Sequence, residues 1–127
     1  MSLLADDETI KESTAPISMS SGYTNESSAV VRKGKRKGAP ITLHARIRRT
    51  NSAAFSNGRT TLGTIGSDYA PATNVWCPIS ASTTVNSVLN RTAFLLILTT
   101  GSVIVDTVNS DIKQLQFTVS YSGGGIS

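Results

Sequence analysis

The segment 41-ITLHARIR-48 alternates apolar and polar residues at every step. Its apolar residues are Ile41, Leu43, Ala45 and Ile47, and its polar residues are Thr42, His44, Arg46 and Arg48. Because successive side chains of a strand point to opposite faces, this period of two predicts a half-buried strand. The segment 115-LQFTVSY-121 repeats the pattern. In a chain rich in Thr, Ser, Gly and Val, the two segments predict an all-β protein.

Further strands are predicted where β-branched runs lie between turn residues. These runs are 17–20, 29–33, 59–65, 73–85 with an interruption at Pro78, 94–98 and 103–105. Glycine or asparagine recurs about every ten residues between them, which is typical of short antiparallel connections. Together with the two alternating segments, they give about eight strands. We therefore expect an antiparallel β-sandwich or a jelly-roll-like barrel.

The segment 93-AFLLILTTGSVIVD-106 differs because its first half is apolar on both faces. Thr100 and Gly101 offer a turn, so the segment is predicted to form a hairpin. A strand that is apolar on both sides either lies in the core or uses one face for a subunit contact. Both uses stay open. The candidate oligomer seam consists of Phe94, Leu96 and Leu98.

The length of 127 residues is typical of a single domain, which buries about two-thirds of its unfolded surface. Residues 1–14 are acidic and lack a sustained apolar face, so we expect a lead-in from a missing N-terminal region, with tag remnants possible at its start. Residues 15–122 are expected to form the β-domain, and 123–127 a flexible tail. No apolar run reaches the roughly twenty residues that cross a bilayer, so membrane insertion is not expected.

The positive charge is concentrated in 32-RKGKRKG-38. The formal net charge is +4, but five of the twelve basic residues lie between Arg32 and Lys37, which leaves seven against eight acidic residues elsewhere. Such a cluster indicates either contact with a nucleic acid or another anionic polymer, or a solvated hairpin tip, since Gly34 and Gly38 favour turns. Charge runs without interleaved aromatic residues are usually solvated, so nucleic acid is not the expected partner.

No catalytic constellation is visible in the sequence. The only imidazole is His44 and the only thiol is Cys77, and no local signature joins them. One His, one Cys and scattered Asp residues match no metal-ligand spacing, and the glycines lack the context of a phosphate-binding loop. The carboxylates available for a glycosidase, which the sequence cannot place in pairs, are Glu26, Asp68, Asp106 and Asp111. We expect no catalytic residue, no metal site and no cofactor.

Four segments occur in a distinctive order along the chain. They are 22-GYTNESSAVVRKGKRKGAPITLHARIR-48, 60-TTLGTIGSDYAPATNVWCPIS-80, 94-FLLILTTGSVIVD-106 and 114-QLQFTVSYS-122. Together they resemble the C-terminal head domains of bacteriophage tail fibre and baseplate proteins, and the resemblance spans Pro16 to Ser122. The family's PxGYRPA loop reads GSDYAPA here, with Gly66 in place of proline and Ala70 in place of arginine. A looser turn and one charge fewer follow.

The resemblance implies a small β-sandwich or barrel, expected as a homotrimer, at the tip of a tail fibre or baseplate. Such a head would be made in a bacterial cytoplasm and would reside in the virion. Its partners would be host cell-wall polysaccharide and other tail proteins, and its role would be attachment without enzymatic activity. Three alternatives stay open: a purely structural trimerising tail component, a jelly-roll coat protein that contacts RNA through Arg32–Lys37, and a polysaccharide-degrading enzyme.

A glycan site needs an aromatic platform for the apolar face of a sugar and planar polar groups for its hydroxyls. The candidates are Tyr69, Trp76, Asp68 and Asn74, with His44 and Arg46 across the sheet. A structural role is the alternative for both aromatic residues. In the family the loop tyrosine packs beside the proline, here Pro71, and a lone tryptophan is more often buried than exposed.

Overall fold

The computed structural model describes residues 10–13, 17–25, 30–34, 40–84, 88–108 and 111–123. This part of the chain contains no α-helix, and the one short 3-10 turn is Ser67–Tyr69. The predicted all-β class is confirmed. The strands are β1 (Ile10–Ser13), β2 (Ile17–Met19), β3 (Tyr23–Asn25), β4 (Val30–Gly34), β5 (Pro40–Arg49), β6 (Gly58–Ile65), β7 (Val75–Ser82), β8 (Arg91–Ile97), β9 (Ser102–Thr107) and β10 (Gln114–Ser122).

Each of the eight predicted strand segments overlaps an observed strand, and the predicted hairpin is β8–β9. The two strands that the sequence did not predict are β1 and β3. β1 lies inside the segment expected to be a lead-in, and it pairs with β4 from Ile10 opposite Gly34 to Ser13 opposite Val31. Its formation depends on that neighbouring strand and not on a pattern of its own. Residues 1–9 and 124–127 lie outside the described residues, whereas Gly123, the first residue of the predicted tail 123–127, forms a bridge with Pro71.

All the strands belong to one antiparallel sheet that curls into a nearly closed barrel. The order across the sheet is β1-β4-β5-β10-β7-β8-β9-β6-β2, with β3 paired to β5. β4 pairs with the first half of β5, and β3 pairs with its last residues. The basic residues Lys35–Lys37 fall in the connection between the antiparallel strands β4 and β5, outside the described residues.

The consecutive strands β2 and β3 connect the two ends of the sheet and so help to close the barrel. β2 pairs with β6 at one end of the strand order, whereas β3 pairs with β5 near the other end. Between them, the Ser20 N–H donates to the Leu62 carbonyl at 2.8 Å, and the Thr50 N–H donates to the Gly22 carbonyl at 2.9 Å. Gly22 has φ 92, a left-handed conformation that glycine adopts without strain. The segment 17–25 thus links β6 to β5.

The core lies inside this curled sheet. On β5 the inward residues Ile41, Leu43, Ala45 and Ile47 are fully buried, as the alternation predicted. Phe55 closes one end, because its ring stacks on Tyr23 with 5.8 Å between centroids and its N–H donates to the Ile112 carbonyl at 2.7 Å. The remaining buried apolar residues include Leu62, Ile79, Leu95, Ile97, Val103, Val105, Leu115 and Phe117.

The strand that is apolar on both faces, β8, contributes one face to this core. Ala93, Leu95 and Ile97 are fully buried inside the barrel. The other face, which carries Phe94 and Leu96, points away from the core, with Phe94 half-buried and Leu96 9% exposed. The intrachain use of this strand is therefore established. On its outer face Leu96 is already covered within the chain, whereas Phe94 keeps part of its surface open to a second use.

Gly63 lies at a close approach between β6 and β2. The pairing of β6 with β9 shifts register between Thr61 and Gly63, and Gly63 lies opposite Met19 of β2. A Cβ atom at Gly63 would overlap the backbone carbonyl oxygen of Ser18 and contact the Ile17 side chain at 2.9 Å. Since a backbone atom cannot move aside alone, only glycine fits here.

We expect Gly63→Ala to lower the free energy of unfolding by about 1–3 kcal/mol, because the added methyl group pushes β2 away from β6. Gly66→Ala is the matched control: nothing lies within 4 Å of a Cβ atom there, and φ is −61. Urea unfolding of both variants measures the difference. Equal stability of the two variants would contradict this account of the β2–β6 contact.

Candidate functional site

The loop between β6 and β7 is fixed to the end of β10. Tyr69 is half-buried against the core, and its carbonyl accepts a hydrogen bond of 2.8 Å from the Tyr121 hydroxyl. Pro71 forms an isolated bridge with Gly123, and the Ala72 N–H donates to the Ser122 carbonyl at 2.9 Å. Burial raises the pKa of the Tyr121 hydroxyl above its ordinary value. Tyr69 is therefore packed into the fold, as the structural alternative predicts, and its contact with a ligand stays a prediction.

An exposed aromatic side chain lies just beyond this loop. Trp76 on β7 is 47% exposed and stacks on Phe94 of β8, with 6.0 Å between ring centroids and an interplanar angle of 11°. The Arg59 guanidinium carbon lies 5.2 Å from the centroid of the Trp76 ring. Arg59 in turn pairs with Asp106, with 3.5 Å between Nε and Oδ2. We call Trp76, Phe94, Arg59 and Asp106 the Trp76 platform.

Strand register brings these four residues together from β7, β8, β9 and β6. Phe94 lies opposite Asp106, and Asp106 lies opposite Arg59. Pro78 lies opposite Phe94, so Trp76 is the diagonal neighbour of Phe94. Diagonal pairs on one face of a sheet are within reach of aromatic and long side chains. The platform therefore depends on the pairing of four strands.

The ion pair between Arg59 and Asp106 contributes little to the stability of the fold, and its main effect is to orient the two side chains beside Trp76. The Arg59 side chain is 62% exposed, and exposed ion pairs contribute about 0–1 kcal/mol. Its position over the Trp76 ring is a cation–π contact, which limits the motion of both side chains. A flat aromatic face beside a guanidinium and a carboxylate can pack against the apolar face of a sugar ring and hydrogen-bond its hydroxyls.

Of the six residues predicted as glycan contacts, only Trp76 belongs to the platform. Asn74 is exposed, but its Oδ1 accepts a hydrogen bond of 3.0 Å from the Thr99 N–H. The side chain of Asp68 lies outside the described part of the structure. His44 and Arg46 are on β5, which β10 separates from β7. The sequence prediction missed Arg59, and it considered Asp106 only as a glycosidase carboxylate and not as a glycan contact.

The predicted oligomer seam overlaps the platform. Phe94 belongs to both, because it stacks on Trp76 and also starts the apolar row of β8. Leu98, which follows the strand, is half-buried. A subunit contact over this row would cover the Trp76 ring. The seam stays a prediction, and the two uses compete for the same outer face.

Among the other residues that were candidates for catalysis or metal binding, Asp111 is engaged in an ion pair and Cys77 is half-buried. Arg91 donates a hydrogen bond of 2.9 Å to Asp111, and this bond lowers the pKa of the Asp111 carboxyl. Cys77 is half-buried on the inner face of β7, where burial raises the pKa of its thiol. Within the described ranges, no three His, Cys, Asp or Glu residues cluster as metal ligands. Those ranges also contain no helix long and apolar enough to span a membrane.

The chain matches no protein-family model, and no curated protein matches it significantly. The resemblance to phage tail heads is therefore carried by the sequence motifs alone.

We expect Tyr121→Phe to lower the free energy of unfolding by about 1 kcal/mol at pH 8, because it removes the hydrogen bond to the Tyr69 carbonyl. The native protein should also lose stability as the pH rises above about 10. There the unfolded state releases the phenolic proton, whereas the folded state, with its raised pKa, retains it. Urea unfolding at pH 8 and pH 10.5 should show a smaller pH effect in the variant than in the native protein. The same loss in both proteins would contradict the burial of this hydroxyl.

Proposed function

We propose that this chain is a non-catalytic head domain of a phage or prophage tail that attaches the virion to polysaccharide on the surface of its bacterial host. The observation that carries the glycan-binding part is the Trp76 platform, an exposed tryptophan that stacks on Phe94 and contacts the Arg59 guanidinium. The phage context is supported by the order of motifs in the sequence. Attachment, and not hydrolysis, is favoured because the platform carboxylate, Asp106, is paired with Arg59.

The platform has the properties of a preformed binding surface. Stacking on Phe94 and the contact with Arg59 restrict the Trp76 ring before any ligand arrives. Little side-chain entropy is then lost on binding, which raises affinity for a given contact area. Asp106 accepts hydrogen bonds from sugar hydroxyls, and the exposed edge of Arg59 donates them.

A single platform of this size would bind a sugar weakly, so the proposal includes several copies in the virion. Linked copies that engage one polysaccharide gain avidity of roughly 10²–10⁴ over one site. A homotrimer held by other tail proteins provides such linkage. The expected location is the tail, with the platforms directed towards the host surface.

We expect Trp76→Ala to weaken retention on purified bacterial cell-wall polysaccharide about tenfold per site, since the stacking face is lost. Val108→Ala is the matched control, because Val108 is an apolar side chain that is 71% exposed and lies outside the platform. Cosedimentation with cell walls from a panel of bacterial species measures both. Failure of the native protein to bind any wall in the panel would contradict the proposal, as would unchanged binding by Trp76→Ala.

A purely structural, trimerising tail component is the second candidate, and the outward row of β8 favours it. Light scattering should give about three times 13.4 kDa for a homotrimer. If the trimer contact uses this row, acrylamide should quench Trp76 fluorescence poorly, and Leu98→Glu should yield monomers. If the platform binds glycan, Trp76 should stay readily quenched in the trimer. A stable monomer would contradict the trimeric part of both candidates.

A further inference from the structure

The pairing between β7 and β10 is incomplete. The two strands pair only from Gln114 opposite Ser82 to Gln116 opposite Ser80. Beyond this point β7 and β10 separate. The loop before β7 contacts the end of β10 again through the bridge between Pro71 and Gly123 and the hydrogen bond from the Ala72 N–H to the Ser122 carbonyl. A cleft of about 250 Å³ opens between the two strands.

On both sides of this cleft, backbone N–H and carbonyl groups of β7 and β10 point towards the other strand but lie beyond the residues at which the two strands pair. The Ser82 carbonyl accepts from the Lys113 N–H, so it faces the β10 side. Because alternate residues of a strand direct their backbone groups the same way, Pro78 and Trp76 also face that side. Proline fits here since it has no N–H to leave unpaired.

On the opposite side, the Ser122 carbonyl accepts from the Ala72 N–H of the loop. By the same alternation, Thr118 and Ser120 direct their N–H and carbonyl groups into the space between the strands. The β7–β10 ladder does not reach either residue. The cleft therefore offers backbone donors as well as acceptors.

The side chains that line the cleft are uncharged. Polar groups come from Ser80, Gln116 and Thr118, and apolar contacts come from residues such as Pro78 and Leu89. His44 acts as a positioning residue, because its Nδ1 lies 2.6 Å from the Thr118 hydroxyl and holds it in place. Drug-sized ligands occupy pockets of about 300–1,000 Å³, so this smaller cleft suits a single small ring.

We propose that the cleft between β7 and β10 binds one neutral sugar ring of the surface polysaccharide, an inference that rests on the proposed function. Hydroxyls need both donors and acceptors, which the open strand edges and the three polar side chains supply. A carboxylated or phosphorylated sugar would lack a cationic partner among the lining residues. Trp76 and Pro78 are two residues apart on β7, so one polysaccharide chain can contact the platform and the cleft together.

The test is a titration of the ¹⁵N-labelled protein with methyl glucoside, methyl galactoside and N-acetylglucosamine, followed by NMR. We expect the amide signals of Thr118 and Ser120 to shift with at least one of these sugars. Thr118→Val should raise the dissociation constant three- to tenfold, the value of about one hydrogen bond. Thr64→Val, at an exposed position on β6, is the matched control and should leave it unchanged.

The possible results distinguish a failure of the cleft site from a failure of the proposed function. Sugars that shift only Trp76 and Phe94 signals would overturn the cleft site and leave the platform intact. The absence of any cleft shift, or stronger binding of glucuronate than of the neutral sugars, would also overturn it. Cleft shifts with a neutral sugar that are weakened by Thr118→Val but not by Thr64→Val support the site, even if no cell wall retains the native protein and the proposed function fails.

Discussion

The ladder between β5 and β10 is the interaction on which the rest of the structure depends. It joins Pro40 to Ser122 at one end and Arg48 to Gln114 at the other, so nine pairs connect segments that are far apart in the chain. Closing so long a loop costs entropy, which burial of the inward residues of both strands offsets. β4, β3 and β7 all attach to this pair. Its length also matters, because β10 continues beyond the point where β7 leaves it.

The two candidate binding features follow from this arrangement, and they lie on opposite sides of β7. Towards β8, regular pairing over seven residues carries Trp76 to its place beside Phe94. Towards β10, pairing stops after three residues and a cleft remains. The loop containing Tyr69 and Pro71 then fastens the far end of β10, which keeps the two strands from separating further. The loop thus limits the width of the cleft between β7 and β10.

The outer face of β8 can serve either as a subunit contact or as part of a ligand-binding surface, but not as both. Apolar residues on an exposed sheet face favour a subunit contact, whereas a stacked and partly exposed tryptophan favours a ligand contact. The ion pair between Arg59 and Asp106 favours a ligand contact over a subunit contact, because a dry subunit interface would have to desolvate both charges. A trimer contact elsewhere on the barrel would leave the face open.

The sequence by itself determined the all-β class and the inward and outward faces of its strands, because alternation such as that in ITLHARIR is a local property of the chain. It also identified Trp76 as a candidate contact, but it could not choose between exposure and burial. Tertiary structure decided that choice, the structural role of Tyr69 and the convergence of Arg59 and Asp106 on Trp76. It also determined that β1 and β3 form and that a cleft opens beside β7. Each of these depends on which strands are neighbours and in what register, and residues far apart in sequence set that register through packing.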